Sequence, residues 1–97
     1  MSAYSIAEVT VIDAEGLQKY SDLAGPAIAA QGGKFLFAGV PEAVEGAWPD
    51  GRLIAVFEFP TMEQLRAWYA SPEYAAAKEV GQHAFERNLL FLDAPAW

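Results

Sequence analysis

The chain contains no cysteine. Disulfides, thiolate nucleophiles and thiolate metal ligands are therefore excluded, and the composition fits a reducing compartment. Histidine occurs once, at His83, so a zinc centre is not expected and an axially ligated haem has little to rest on. Basic residues are scarce, 6 against 13 acids, for a formal net charge of -7. An acidic surface with no basic cluster argues against nucleic acid and anionic membranes as partners. No apolar run is long enough to cross a bilayer, and no charged-then-apolar leader precedes Tyr4. The expectation is a soluble, cytoplasmic protein. There is no glycine-rich phosphate loop, because Gly32-Gly33 reads as a helix stop. Internal repeats and low-complexity segments are missing too.

What the chain has in abundance is apolar surface. Hydrophobic residues make up 54% of its 97 positions, enough for the core of one domain over residues 1–97. The most informative stretch runs from Leu53 to Tyr74. Leu53 to Phe59 is apolar apart from Glu58 and rich in β-branched and aromatic residues, which favours a central strand. Pro60 ends it, having no N–H to give a ladder. Thr61 and Gln64 have the spacing of a capping box. Met62, Leu65, Trp68 and Tyr69 then form a helical stripe. Ser71-Pro72 caps a second helix of small residues, through Tyr74, Ala77 and Gly81, whose alanines predict close packing on something flat.

The remaining elements fall in order around that stretch. Tyr4 to Ile12 is a first strand, with Ala7, Val9 and Val11 on one face and Tyr4, Ile6, Glu8 and Thr10 on the other. Asp13 caps an amphipathic helix marked by Leu17, Tyr20, Leu23 and Ile28, with a kink or short break expected at Gly25-Pro26. Lys34 to Gly39 is strand two, with Phe35 and Phe37 on one face and Leu36 and Ala38 on the other. Val40 to Asp50, with two prolines and three acids, is a loop, and Pro49-Asp50-Gly51 is a turn. Asn88 to Asp93 is strand four, followed by a tail from Ala94 to Trp97.

The order βαββαβ predicts an α+β, ferredoxin-like domain: a four-stranded antiparallel sheet with helices on one face. Both sheet faces carry apolar residues, and the helices can cover only one. The second face, with Ile6, Leu36, Ile54, Val56, Leu90 and Leu92, predicts a two-fold homodimer pairing sheet to sheet.

Several blocks then carry a resemblance. These are Tyr4 to Asp13, Gly32-Gly33-Lys34-Phe35-Leu36, Glu45-Gly46-Ala47-Trp48-Pro49, Glu58-Phe59-Pro60-Thr61-Met62-Glu63 and Ala67-Trp68-Tyr69-Ala70-Ser71-Pro72-Glu73-Tyr74. Together, over nearly the whole chain, they resemble the family called domain of unknown function 1330. The resemblance implies a dimeric α+β barrel, within a superfamily that includes cofactor-free monooxygenases, muconolactone-type isomerases, polyketide cyclases and haem enzymes. Family members often carry arginine where this chain has Ala38 and Gly81, which leaves any anion-holding role of those positions without its side chain here.

The candidates for chemistry are few. His83 is the first residue to consider as a general acid or base, because its unperturbed titration lies near neutral pH. The plainer reading is an exposed histidine at a helix end. Glu8 and Glu58 interrupt apolar strands on the same sheet face and could act as an acid–base pair, or could simply find basic partners at the rim. Tyr20, Trp48, Trp68, Tyr69 and Tyr74 could line a ligand cleft between helices and sheet, or could be ordinary core. Trp68 and Tyr69 are adjacent, so both cannot point inward. The functional expectation is a small dimeric protein that binds an uncharged or weakly polar aromatic or polyketide-like molecule. If it acts on that molecule, it does so without a cofactor, by isomerase, cyclase or monooxygenase chemistry. The alternative is a non-catalytic accessory or assembly module.

Overall fold

The computed structural model describes residues 2–94. The sequence's tail beyond Ala94, Pro95 to Trp97, lies outside the described residues. The elements are β1 (Ser2–Val11), α1 (Ala14–Ala30), β2 (Lys34–Gly39), β3 (Leu53–Phe59), α2 (Met62–Ala70), α3 (Pro72–Ala84) and β4 (Phe85–Ala94). The four strands form one antiparallel sheet in the order β2-β3-β1-β4, the ferredoxin-like arrangement. β4 begins three residues earlier than the alternation of Leu90 and Leu92 suggests, running directly out of α3 at Phe85.

The helix boundaries follow local chemistry. Asp13 accepts from the Glu15 N–H and starts α1. The helix continues as one element through Pro26 to Ala30, without the short break that Gly25-Pro26 suggests. Its end is a Schellman motif: the Gly32 N–H donates to the Ala29 carbonyl and the Gly33 N–H to the Ile28 carbonyl, with Gly32 at φ 79°. Thr61 caps α2 by accepting from the Gln64 N–H. Gln64 reaches back to the cap through its Oε1, which accepts from the Thr61 hydroxyl at 3.3 Å. Its amide nitrogen donates to the Gln31 carbonyl at 3.1 Å and ties α2 to the end of α1. Ser71 caps α3 by accepting from the Tyr74 N–H, and its own hydroxyl donates to the Trp68 carbonyl.

All helices lie on one face of the sheet. The alternation of β1 is clean: Ala3, Ser5, Ala7 and Val9 are buried beneath the helices, and the residues between them face the other way. The core gathers Phe59, Leu65, Trp68 and Tyr74 with Ala3, Ala24, Ala27, Ile28 and Ala77. The small residues of α3 serve helix–helix packing. A Cβ on Gly16 of α1 would meet the Ala84 Cβ at 2.9 Å, and one on Gly81 would meet Tyr20 at 3.2 Å. The flat partner expected for α3 is thus α1, not the sheet.

The opposite face is bare of helices. On it lie Ile6, Ile54, Val56, Leu90 and Leu92. Phe37 joins them, which corrects the expected alternation of β2. A register shift between Phe35 and Phe37 places Phe35 opposite Phe57, on the helix face, and Phe37 opposite Val56, on the open face. Phe37, Leu90 and Leu92 are each about half exposed.

Candidate functional site

A cleft opens between α1 and the helix face of the sheet. Its cause is side-chain size. Ser21, Ala24 and Gly25 face it from α1, and Ser5, Ala7 and Ala55 from β1 and β3. Such short side chains cannot fill the gap between a helix and a sheet packed about 10 Å apart. The edge strand β2 is exposed along its length, so the mouth lies on that side, beside Phe35 and Ala38. The outer part of the cleft has a volume of about 360 Å³. A smaller inner part of about 110 Å³ reaches down to Trp68 and Leu89. Both parts share Ala7, Tyr20, Ser21, Phe57 and Arg87. Among the described residues, no carboxylate lines either one.

Polar groups converge at one point of the wall. The Tyr20 and Tyr74 hydroxyls are 2.6 Å apart. The Arg87 guanidinium donates to both, at 3.1 Å to Tyr20 and 2.7 Å to Tyr74. It also lies over the Phe85 ring, 5.1 Å from its centre. Three elements build this group: α1 supplies Tyr20, α3 supplies Tyr74, and β4 supplies Arg87.

Either hydroxyl can donate in the tyrosine–tyrosine bond. Tyr74 is fully buried and does not line the cleft. Burial, reinforced by Tyr20, raises its pKa above that of an ordinary phenol, against the opposing pull of Arg87. When Tyr74 donates, the Tyr20 oxygen accepts from both Tyr74 and Arg87, and the Tyr20 proton is left for the cleft. The Arg87 cation is secure there. Burial alone would lower its pKa, but Tyr20 and Tyr74 outweigh that, and the net shift is upward.

A second donor is buried behind the inner part. Trp68 is 2% exposed, and its Nε1–H has no hydrogen-bond partner among the described residues. An unpaired buried donor costs about 1–3 kcal/mol.

The residues singled out in the sequence divide sharply. Tyr20 and Tyr74 are brought together, and Trp68 lies beside them in the inner cleft. Tyr69 turns outward, as its adjacency to Trp68 requires, and carries the Lys78 ammonium 4.2 Å from its ring centre. Trp48 stays in the loop between β2 and β3, donating to the Arg52 carbonyl at 2.6 Å. His83 is exposed near the end of α3 and does not line the cleft. Glu8 and Glu58 share the open face of the sheet, on the side away from the cleft. Tyr4 sits opposite Glu58, four residues from Glu8, so the two carboxylates are about 13 Å apart along the strands and do not form a pair. Glu8 accepts from the Asn88 amide. Glu58 is held by Lys34 at 3.2 Å and by the Tyr4 hydroxyl at 3.1 Å. Hydrogen bonds from Ser2 first, then Lys34, lower its pKa.

Arg87 is the residue that sequence reasoning missed. Starting the last strand at Asn88 left it outside any element. The available signal was parity: Phe85, Arg87, Leu89 and Phe91 alternate, so Arg87 falls in an apolar, inward-facing series. Ala38 and Gly81 also find their places. Ala38 lines the mouth of the cleft. At Gly81 a side chain would strike the Phe85 ring at 2.8 Å. The cation in the cleft comes from β4 instead.

The fold is shared with solved structures of low sequence identity. The methylated RPA0582 protein superposes with a TM-score of 0.82 at 19% identity, covering 98% of this chain and 82% of that one; RPA0582 is a protein of unknown function from Rhodopseudomonas palustris. SnoaB, a cofactor-independent oxygenase from Streptomyces nogalater, superposes with a TM-score of 0.71 at 13% identity, covering 99% and 95%. A dimeric protein of unknown function and ferredoxin-like fold from Bacteroides fragilis superposes with a TM-score of 0.57 at 14% identity, covering 96% of each chain. No curated protein sequence matches the chain. The family model for the domain of unknown function DUF1330 matches residues 2–95, and the chain belongs to that family.

Proposed function

We propose that the α1–sheet cleft binds a small aromatic or polyketide-like molecule that presents acceptor oxygens, and that the protein acts on it without a cofactor. The observation that carries this reading is the meeting of Arg87 and Tyr20 on a carboxylate-free, largely apolar wall whose other hydroxyls are those of Ser5 and Ser21. Apolar walls with a few converging polar groups are the usual make-up of a small-molecule site. Arg87 gives the wall a cationic donor and no carboxylate lines it among the described residues, so the expected weakly polar ligand sharpens to one with a carbonyl, phenolate or enolate oxygen. The charge of Arg87 would stabilise such an oxygen as negative charge develops on it. SnoaB, similar in fold, is a cofactor-independent oxygenase, which makes oxygen insertion at an electron-rich ring the first reaction to test. Proton transfer falls to Tyr20, which faces the cleft, rather than to His83.

The same reading includes a homodimer through the open sheet face, since Phe37, Leu90 and Leu92 have no cover in the single chain. The Bacteroides neighbour of the same fold is dimeric.

The test is binding followed by turnover. 1-Naphthol should raise the melting temperature of the wild-type protein more than naphthalene does, and Trp68→Phe and Tyr20→Phe should each cut the difference. Equal shifts from the two compounds would remove the acceptor-oxygen site. Oxygen uptake with hydroxynaphthalenes, in metal-free buffer, decides between an enzyme and a binding module. For the dimer, Leu90→Glu should sediment as a monomer at micromolar concentration where the wild type sediments as a dimer.

A further inference from the structure

On the far side of Arg87 from α1 is a second, shallower cavity of about 170 Å³, between α3 and β4, lined by Tyr69, Lys78, Gly81, Gln82, Phe85 and Arg87. Two of the chain's 6 basic residues face it. The protein as a whole is strongly acidic, yet no carboxylate lines this cavity among the described residues. Of the other cations, Lys34 and Arg52 are paired with Glu58 and Glu86. Neither Lys78 nor Arg87 has a carboxylate within ion-pair distance among the described residues.

The donors are in excess. A guanidinium has five N–H groups, and Arg87 spends one on Tyr20 and one on Tyr74, leaving three. The Lys78 ammonium lies against the Tyr69 ring at 4.2 Å and reaches the Tyr74 ring at 5.9 Å. Its three N–H groups have no oxygen acceptor among the described residues. Tyr74 thus stands between the two cations, with its hydroxyl on Arg87 and its ring toward Lys78. The only side-chain acceptor in the lining, apart from the Tyr69 hydroxyl, is the Gln82 amide.

We propose that this cavity binds a carboxylate, carried by a small organic acid. A planar, two-oxygen anion matches the free edge of a guanidinium, while the ammonium supplies a point charge beside it. The Tyr69 and Phe85 rings would flank the acid's carbon skeleton. The site is distinct from the α1–sheet cleft and shares only Arg87 and Phe85 with it. Because one guanidinium serves both cavities, a carboxylate on one side and an oxyanion on the other draw on the same charge. Each therefore weakens the other's binding by the same factor.

Calorimetry at low salt with benzoate and benzamide tests the proposal, with amide NMR shifts to place the probe. Benzoate should bind the wild type, shift Lys78 and Gln82, and lose affinity about tenfold in Lys78→Gln, with Lys78→Arg restoring it. Benzamide should bind at least about tenfold more weakly than benzoate. Benzamide binding as tightly as benzoate, an unchanged affinity in Lys78→Gln, or shifts confined to Ser21 and Ala24 would each overturn the site. 1-Naphthol, which lacks the carboxylate, should bind wild type and Lys78→Gln alike. If it fails to bind either while the benzoate pattern holds, the cleft reading falls and the carboxylate site stands.

Discussion

The two faces of the sheet are made from alternate residues of the same strands, and they treat polar groups in opposite ways. On the open face the charged groups are bonded within the chain, Glu8 to the Asn88 amide and the others to opposite charges. Lys34 meets Glu58, and Arg52 reaches across to Thr10 at 2.8 Å and Glu86 at 2.7 Å, closing the end of three strands. Between these pairs lies an apolar strip. On the helix face, among the described residues, Arg87 has no counter-ion and is held by two phenols, and Trp68 keeps a buried donor unpaired. A surface whose charges are satisfied and whose centre is greasy suits burial against another protein surface. A wall with surplus donors beside empty volume suits a ligand that brings acceptors.

The contrast can be broken at its apolar parts first. Phe59 is fully buried under the helices, and Phe59→Ala should cost about 3–5 kcal/mol in urea unfolding, whatever the protein concentration. Leu90→Ala, on the open face, should destabilise only where the protein is concentrated enough to dimerise, and the loss should fade on dilution. If both losses ignore concentration, the open face is not an interface.

The charges give a smaller and sharper comparison. Arg52 is buried, 7% exposed, and bonded to two side-chain acceptors. Arg52→Met should cost about 1–2 kcal/mol, a figure kept low because Glu86 is largely exposed. Arg87→Met should cost less, or even stabilise, because it removes a half-buried cation that has no counter-ion among the described residues. Urea midpoints that put Arg87→Met below Arg52→Met would show that Arg87 is part of the structural frame and not a group held for a ligand.

The smallest effects are in the pH dependence of stability. The pKa of Tyr74 is raised in the folded state. Its contribution is therefore complete below the ordinary value of 10.0 and is lost as pH rises past it. Tyr74→Phe should flatten the alkaline fall in melting temperature. Glu58 is shifted the other way, so its contribution is present above the ordinary value of 4.5 and lost as pH falls. Glu58→Gln should flatten the acid side and leave the alkaline side as it was. A variant that changed both limbs would mean that the two faces are not independent.

Residues whose effect is local were legible before any coordinates. Asp13, Thr61 and Ser71 cap the helices they precede, because a cap needs only its own next few N–H groups. Gly32 ends α1 for the same reason. Alternation placed Ile6, Val56 and Leu90 on one side of the sheet. It failed at Phe37, since a bulge inserts a residue without leaving a mark in the hydrophobic pattern. The candidate site was legible in part. Tyr20, Trp68 and Tyr74 stand out as aromatics, but nothing in their spacing says that two hydroxyls from different helices meet at 2.6 Å. His83, Glu8 and Glu58 were picked for their chemistry, and chemistry does not tell which way a strand or helix turns a side chain.

The sequence by itself determined the elements, their caps, the antiparallel α+β order and the surplus of apolar strand surface. These depend on periodicity and on contacts a few residues long. Only the tertiary structure decided that Arg87, Tyr20 and Tyr74 share one point, that Trp68 is left with a free donor, and that a volume remains beside them. Those facts depend on side-chain sizes summed across α1, α3 and β4, elements that the chain brings together from 54 and 67 residues apart.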